Sequence, residues 1–281
     1  MENYNKLEQE RIEINNTDDR NLAMDLVKQN GSLLKFARRA FLGDRELVLE
    51  AIKTDGSVLK YASEDIRKDR DLILKLVKEN GSLLAFARED FRADGEIVLE
   101  AVKQHGLALE YASEELKSNR KIVEEAIKND GRALKYAPDD LKKDEDLVLE
   151  AIKQNGEALS YVSNNLKLDE NFILKAFEKN IKSFAFATNK IRNNEDFVIK
   201  LIKQNPNVLE FVPIKLRAKE KVVLEAVKQR GLTLKFASKE LRDKREVVLA
   251  AIKSSVGAVY LASKRLREED KEIRKMVGFD I

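Results

Sequence analysis

The chain contains 281 residues with a net charge of +3; 43% of the residues are hydrophobic and 37% are charged. Cysteine is absent and His105 is the only histidine, which excludes disulfides and thiolate metal sites and leaves few acid–base constellations. No apolar run approaches the roughly 20 residues of a transmembrane helix, and residues 1–14 lack the apolar core of a secretory signal. We therefore expect a cytoplasmic protein without a cofactor or a metal.

A 25-residue repeat follows residues 1–18, which we predict to be an N-terminal extension or cap. A fixed period of roughly 20–50 residues is the signature of a repeat array, in which each unit buries its core against its neighbours. The period predicts an all-α fold: an elongated, curved α-solenoid of about ten stacked repeats across residues 19–277, with 278–281 as a C-terminal tail. One slot of the repeat marks the period and is occupied by Gly31, Gly56, Gly81, Gly106, Gly131, Gly156, Ile181, Pro206, Gly231 and Val256.

Each repeat is predicted to contain a long helix, a short helix and a short third turn, as in residues 47–71. Aspartate or asparagine precedes eight of the ten long helices and should cap them, because a short side-chain acceptor satisfies free N–H groups of the first turn. We expect the long helix, of about eleven residues, to end at the glycine in a left-handed conformation. The short helix should span 57–62 and the third turn 64–68. The predicted caps are Asp19, Asp44, Asp69, Asp94, Asn119, Asp144, Asp169 and Asn194.

One aromatic residue recurs at the same position of nine repeats. Phenylalanine and tyrosine interchange there, so no hydroxyl is required, and the position lies between apolar positions of the short helix. We therefore predict that this aromatic column is buried between neighbouring repeats. The alternative is a platform of exposed rings on which the bases of a single-stranded nucleic acid stack. The column comprises Phe36, Tyr61, Phe86, Tyr111, Tyr136, Tyr161, Phe186, Phe211 and Phe236.

Residues 172–221 depart from the pattern and are predicted to be the most irregular stretch of the array. Ile181 and Pro206 replace glycine, bulky Leu201 replaces alanine, and additional phenylalanines require different packing. This change either bends the superhelix or creates a docking site.

Glu124 is a second departure, because the equivalent position in the other repeats holds leucine, isoleucine or methionine. A carboxylate is costly in an apolar environment, so we expect it to reach solvent and pair with Lys121 or Lys128. His105 replaces an asparagine, aspartate or arginine at an exposed helix end, where we expect no ligand chemistry.

Two basic columns run along the array, each near a predicted helix C-terminus. Stacked repeats would space their members by about 10 Å and form stripes that bind a polyanion. The alternative explanation is local, since helix C-termini favour cations and the first column follows a glutamate by three residues in five repeats. The first column is Lys28, Lys53, Lys78, Lys103, Lys128, Lys153, Lys203, Lys228 and Lys253; the second is Arg67, Arg92, Lys117, Lys142, Lys167, Arg192, Arg217, Arg242 and Arg267.

The segment DLVLEAIKQNGEALSYVSNNLKLD (146–169), with copies such as GLALEYASEELKSN (106–119), resembles the repeat of the domain of unknown function 4116. The resemblance covers essentially the whole array, although residues 172–221 and 247–271 differ, chiefly at the glycine. It implies an α-helical solenoid from a family found in protists, large viruses and intracellular bacteria, and it implies no catalytic residue. A member from an intracellular bacterium would be an effector in the host-cell cytosol.

We predict a protein–protein interaction scaffold without catalysis, an effector or adaptor by family resemblance, because clusters of nucleophile, base and metal ligands are absent from the sequence. Nucleic-acid or polyanion binding through the basic columns is the alternative, and a purely structural or homo-oligomeric role is a third reading. The variable, solvent-facing positions where a partner would be recognised are Ser57, Ser82, Leu107, Arg132, Glu157, Lys182, Asn207 and Leu232, and Lys60, Ala85, Glu110, Lys135, Ser160, Ala185, Glu210 and Lys235.

The charge distribution indicates where a partner would make its first contact. Residues 1–171 carry a charge balance of −8 and residues 172–281 one of +11, which would steer an acidic partner to the C-terminal part. The candidate partner-binding residues are Lys175, Lys179, Lys182, Lys200, Arg132, Lys135, Glu157 and Lys235.

Overall fold

The structure is a computed structural model that describes residues 2–278, including the side chains from residue 6 onward. The described residues form helices joined by short turns, with no β-strand among them, and they build an all-α solenoid of 25-residue repeats as the sequence predicts. An N-terminal helix, Glu2–Asn16, packs against the first repeat, and Lys271–Val277 is the last described helix. Of the predicted tail 278–281, residues 279–281 lie outside the described residues. None of the described helices is long and apolar enough to cross a membrane.

Ten repeats, numbered 1 to 10 in chain order, contain the same three elements. The first helices are Arg20–Gln29, Arg45–Thr54, Arg70–Glu79, Gly95–Gln104, Arg120–Asn129, Glu145–Gln154, Glu170–Lys179, Glu195–Gln204, Glu220–Gln229 and Arg245–Ser254. The second elements are 3-10 helices: Gly31–Phe36, Gly56–Tyr61, Gly81–Phe86, Gly106–Tyr111, Gly131–Tyr136, Gly156–Tyr161, Ile181–Phe186, Pro206–Phe211, Gly231–Phe236 and Val256–Leu261. The short third helices are Arg39–Leu42, Glu64–Lys68, Glu89–Arg92, Glu114–Lys117, Leu141–Lys143, Asn164–Leu168, Asn189–Arg192, Ile214–Arg217, Lys239–Arg242 and Lys264–Glu269.

The predicted caps of the first helices are confirmed at all eight positions, where the aspartate or asparagine side chain accepts a backbone N–H. Repeats 9 and 10 instead begin after Lys219 and Lys244, which form no side-chain cap. These lysines bind acidic residues of the preceding repeat, Glu195 at 2.6 Å and Glu220 at 2.7 Å. An ion pair between repeats therefore replaces the cap in this part of the chain.

The prediction of a left-handed glycine at the end of the first helix is wrong. In repeat 3 the helix ends at Asn80, an extended residue with φ −147°, and Gly81 begins the 3-10 helix; among the described glycines only Gly278 has a positive φ. The glycine is instead required by a close approach between repeats. A Cβ on Gly81 would overlap the backbone carbonyl of Ala101 in the next first helix, and one on Gly106 would overlap that of Ala126.

The contacts between Cα atoms divide the chain into two compact units, residues 1–141 and 142–281. Within each unit the first helices form one layer and the 3-10 helices form a second, which we call the 3-10 layer. Repeat 2 illustrates the core, since Val48, Ala51 and Leu59 are buried while Leu49 is half-exposed. Repeats 7 and 8 keep the same elements although they lack the glycine, and their additional phenylalanines are buried: Phe172, Phe177, Phe184 and Phe197.

Candidate interaction surface

In each unit the rings of the aromatic column belong to the 3-10 layer, and the prediction that they are buried is wrong. Tyr61, Tyr111 and Phe186 are 37–39% exposed, and the other six rings are half-buried. In repeat 2, Val58, Leu59 and Ala62 fill the buried positions, whereas the ring of Tyr61 stays partly exposed at the margin of the layer.

Further exposed apolar side chains lie on the same layer. Leu232, Val256 and Tyr260 are 42%, 58% and 66% exposed, and all three belong to 3-10 helices of repeats 9 and 10. In the described part of the chain, no first helix of a repeat contributes an exposed large apolar side chain. The 3-10 layer is therefore the more apolar surface of the repeats.

Charged side chains accompany the rings. A lysine ammonium lies over the ring of the following aromatic residue in four repeats, a cation–π geometry. The distances to the ring centroids are 4.8 Å for Lys35 and Phe36, 5.0 Å for Lys60 and Tyr61, 5.2 Å for Lys135 and Tyr136, and 4.5 Å for Lys235 and Phe236. In two repeats a glutamate accepts a hydrogen bond from a tyrosine hydroxyl, from Tyr136 to Glu110 and from Tyr161 to Glu157, both at 3.0 Å.

The predicted variable positions beside the rings face solvent, as expected, because none of them is buried. Their charges alternate along the layer, so that Lys60 and Lys135 are separated by Glu110 in the first unit. The layer thus combines a recurring apolar edge with polar groups that differ from one repeat to the next.

The candidate partner-binding residues fall in two different layers. Lys175, Lys179 and Lys200 lie exposed on the first helices of repeats 7 and 8. The others, which are exposed or half-exposed on the 3-10 layer, are Arg132, Lys135, Glu157, Lys182 and Lys235. Two candidates are engaged in ion pairs, Lys175 with Glu145 at 2.5 Å and Arg132 with Asp130 at 2.7 Å. The sequence therefore identified charged positions but did not show that they lie on two separate surfaces.

Side chains of the second basic column form contacts within the fold. Its members are half-buried, and three arginines donate to backbone carbonyls: Arg67 to Ala62 at 3.0 Å, Arg192 to Phe211 at 3.1 Å and Arg217 to Phe236 at 3.4 Å. In repeat 6, Lys167 donates to the carbonyl of Ser160, and burial lowers the pKa of its ammonium. This column does not form the open basic stripe that a polyanion requires.

The first basic column is exposed, and its local explanation is confirmed in four repeats. Each of these lysines pairs with the glutamate three residues before it, a neighbour on the same helix face. The pairs are Lys53 with Glu50, Lys103 with Glu100 and Lys128 with Glu125, each at 2.6 Å, and Lys153 with Glu150 at 3.1 Å.

Glu124 and His105 carry no special chemistry. Glu124 reaches solvent as expected and pairs with Arg120 at 2.8 Å, one turn before it on the same helix. His105 is exposed at the junction between the first helix and the 3-10 helix of repeat 4. Within the described residues, no group of three or more histidine, aspartate and glutamate side chains is arranged to hold a metal ion.

Comparison with known families identifies the repeat. The model of the domain of unknown function (DUF4116) matches residues 19–67, 44–92, 69–117, 94–142, 119–167, 169–217 and 220–267. The matches include all of the stretch 172–221 except residues 218 and 219, and most of the last repeat, where the sequence pattern is weakest. No curated protein and no solved structure matches the chain.

Proposed function

We propose that this chain, which belongs to the family of the domain of unknown function DUF4116, is a protein–protein interaction scaffold that performs no catalysis. The observation that carries the proposal is the partly exposed aromatic column on the 3-10 layer. Aromatic rings are enriched at the centres of protein interfaces because they bury a large area at a small cost in side-chain entropy. The column gives a partner an anchor point in nine of the ten repeats.

The positions around the rings support specific recognition. Repeat proteins stack through a shared core while their exposed positions vary, and the 3-10 layer follows this division. Buried positions such as Leu59, Leu84 and Leu109 hold leucine, whereas the following residues, the exposed Lys60 and Glu110 and the half-exposed Ala85, differ in size and charge. A partner would therefore recognise the particular order in which these side chains follow one another along the repeats.

Nucleic-acid binding has less support. A base would have to displace the lysine from the ring face in repeats such as 2 and 5, where Lys60 and Lys135 lie over their aromatic neighbours. Glu110, Glu157 and Glu210 would each repel a phosphate backbone that follows the layer. A cytoplasmic location, and a role as an effector or adaptor, are parts of the same proposal that rest on the sequence and on the family resemblance.

Affinity capture from cytosolic lysate tests the proposal with variants of the 3-10 layer. Tyr61→Ser combined with Tyr111→Ser removes two exposed rings, and Ala85→Arg blocks the layer between them without removing core volume. The control is Leu7→Ser combined with Ile12→Ser, which removes two apolar side chains of comparable exposure, 45% and 54%, from the N-terminal helix. Each variant is first shown by circular dichroism to keep its helix content.

We expect one set of proteins to be captured by the wild type and by the control, and to be lost with both 3-10 variants. The captured protein, once purified, should bind the wild type in calorimetry with a stoichiometry near one. Equal capture by all variants contradicts the proposal, as does capture that disappears when the lysate is treated with ribonuclease, because the partner is then RNA.

A further inference from the structure

The short third helices of repeats 7, 8 and 9 expose a distinctive set of side chains. Ile214 begins the middle helix and is 74% exposed, more than any other large apolar side chain that the structure describes. Exposed lysines flank it on the three successive helices, namely Lys190, Lys215 and Lys239. None of these lysines forms an ion pair or a side-chain hydrogen bond with another described residue. Ile214 and the three lysines are called the basic–apolar surface below.

The third helices of repeats 7 to 9 differ in charge from those of repeats 2 to 5. The N-terminal end of a helix favours acidic side chains. Repeats 2 to 5 follow that rule at the equivalent two positions, which hold Glu64 and Asp65, Glu89 and Asp90, Glu114 and Glu115, and Asp139 and Asp140. In repeats 7 to 9 the same two positions hold Asn189 and Lys190, Ile214 and Lys215, and Lys239 and Glu240. Acidic pairs therefore give way to lysines that, in helices of four residues, also lie in the last turn, where a cation is favoured.

The basic–apolar surface adjoins the aromatic edge of the 3-10 layer. Arg192 and Arg217, at the ends of two of these third helices, donate to the carbonyls of Phe211 and Phe236 in the following repeats. In repeats 3 and 4 the corresponding elements line an open groove of about 320 Å³ that includes Arg92, Tyr111 and Glu114. The position of Glu114 is taken by Ile214 in repeat 8, so an acidic rim becomes an apolar one.

We propose that the basic–apolar surface binds an extended, acidic segment of a partner protein, with an apolar residue of that segment packed against Ile214. This inference rests on the proposed function and names the chemistry of its partner at one part of the surface. Three unpaired lysines give the charge complementarity, and Ile214 gives the contact that an apolar side chain requires. Repeats spaced by about 10 Å match three residues of extended chain at about 3.3 Å each, so acidic residues three positions apart would meet Lys190 and Lys215, which are equivalent in repeats 7 and 8. Lys239 occupies the position of Ile214 in repeat 9.

Two other anionic partners fit this surface less well. Glu240 and Asp243 lie on and beside the third helix of repeat 9, and they interrupt the path of a continuous polyanion such as a nucleic acid. A membrane surface would gain little from Ile214 alone, since interfacial binding scales with the apolar area that is inserted. A peptide can place its acidic residues selectively and needs only one apolar contact.

Fluorescence anisotropy with a labelled twelve-residue peptide of four Asp-Asp-Leu repeats tests the inference. The site variant is Lys190→Glu, Lys215→Glu and Lys239→Glu together. The matched control is Lys203→Glu, Lys228→Glu and Lys253→Glu, which changes the net charge equally but on exposed lysines of the first helices. Ile214→Ser is measured against the same peptide and against a second one in which every leucine is serine.

We expect saturable binding to the wild type, a loss of at least tenfold in the site variant and a change of about threefold or less in the control. Ile214→Ser should weaken binding of the leucine peptide about fivefold and leave the serine peptide unchanged. The inference is overturned if the peptide does not bind, if both triple variants lose the same affinity, or if twelve-residue oligothymidylate or phosphatidylserine vesicles bind more tightly through the same lysines. If the peptide does not bind but the 3-10 variants still lose the captured protein, only this inference is refuted. If the 3-10 variants capture the same proteins as the wild type, the proposed function is refuted.

Discussion

Replacing Gly81 with alanine tests how consecutive repeats are held together. The glycine begins the 3-10 helix of repeat 3, and the first helix of repeat 4 passes directly over it. A Cβ at this position would overlap the carbonyl oxygen of Ala101 and would lie 3.1 Å from the Cβ of Gln104. The obstacle is mostly backbone, so a change of side-chain rotamer cannot remove it, and the two helices must separate.

The expected cost follows from two opposing effects. Overpacking a well-packed contact costs about 1–3 kcal/mol, and the upper half of that range applies where the overlap is with a helix backbone. Alanine also restricts the unfolded chain, which returns about 0.4–1 kcal/mol. We therefore expect Gly81→Ala to lower the free energy of unfolding by about 2 kcal/mol.

The same substitution at two other glycines provides matched controls. Gly95 begins the next first helix, and a Cβ there would meet only Leu116 Cδ2 at 3.9 Å. Because alanine is the better helix former, Gly95→Ala should raise the free energy of unfolding by up to about 1 kcal/mol. Gly56 should give an intermediate result, since its Cβ would meet the flexible end of the Leu83 side chain.

Urea unfolding followed by circular dichroism measures these differences. Repeat arrays can unfold in parts, so hydrogen exchange at the amides of repeats 3 and 4 should accompany it. Faster exchange in those two repeats is expected for Gly81→Ala. The reasoning is refuted if Gly81→Ala is as stable as Gly95→Ala, because the approach of the helices would then not depend on the missing Cβ.

The elements and their caps could be predicted from the sequence because a single repeat encodes them. Asp69 caps the helix that begins at Arg70 through atoms only a few residues apart, and the apolar period of that helix is equally local. The contacts between repeats are not local in this sense. Gly81 depends on the distance to Ala101, which no single repeat specifies.

The sequence nevertheless contained a pattern that marks the close approach of two repeats at the glycines. Alanine follows the glycine by 20 residues in Gly81 and Ala101, and in Gly106 and Ala126, where the two backbones meet. Leu76 breaks the pairing for Gly56, which then faces a leucine side chain instead of a carbonyl. Two small residues 20 positions apart thus mark these close junctions, although Gly156, which is also followed by Ala176, approaches the backbone of Ser183 instead.

The candidate surface was only partly predictable. The aromatic column is visible in the sequence, but its exposure depends on how each 3-10 helix packs against its neighbours. Ala108 and Tyr111 lie three residues apart on one face of the 3-10 helix, yet Ala108 is buried and Tyr111 is 37% exposed, a difference that the repeat pattern does not specify. The charge of the C-terminal part was also visible, whereas its concentration around Ile214 required the structure.

Three further predictions concern single positions. Glu124→Leu should change the free energy of unfolding by less than about 0.5 kcal/mol in urea unfolding, because the half-exposed carboxylate already reaches solvent beside Arg120; a large gain in stability would show that the charge is strained. Tyr111→Ala should cost roughly 2 kcal/mol by the same measurement, below the 3–5 kcal/mol of a fully buried ring because the side chain is 37% exposed, while Tyr111→Phe should be nearly neutral. Asp94→Asn tests the ion pair between repeats 3 and 4. The hydrogen bond from the Arg70 guanidinium lowers the pKa of the Asp94 carboxyl below its ordinary value of 3.8. The ion pair therefore contributes to the free energy of unfolding above that value, and the contribution is lost as the pH falls through the lower pKa of the folded state. Since asparagine can still accept the backbone N–H of Ile97 as a cap, the stability difference between wild type and variant should be largest above about pH 4 and should shrink toward zero in more acidic solution; a difference that does not change with pH would show that Asp94 acts only as a cap.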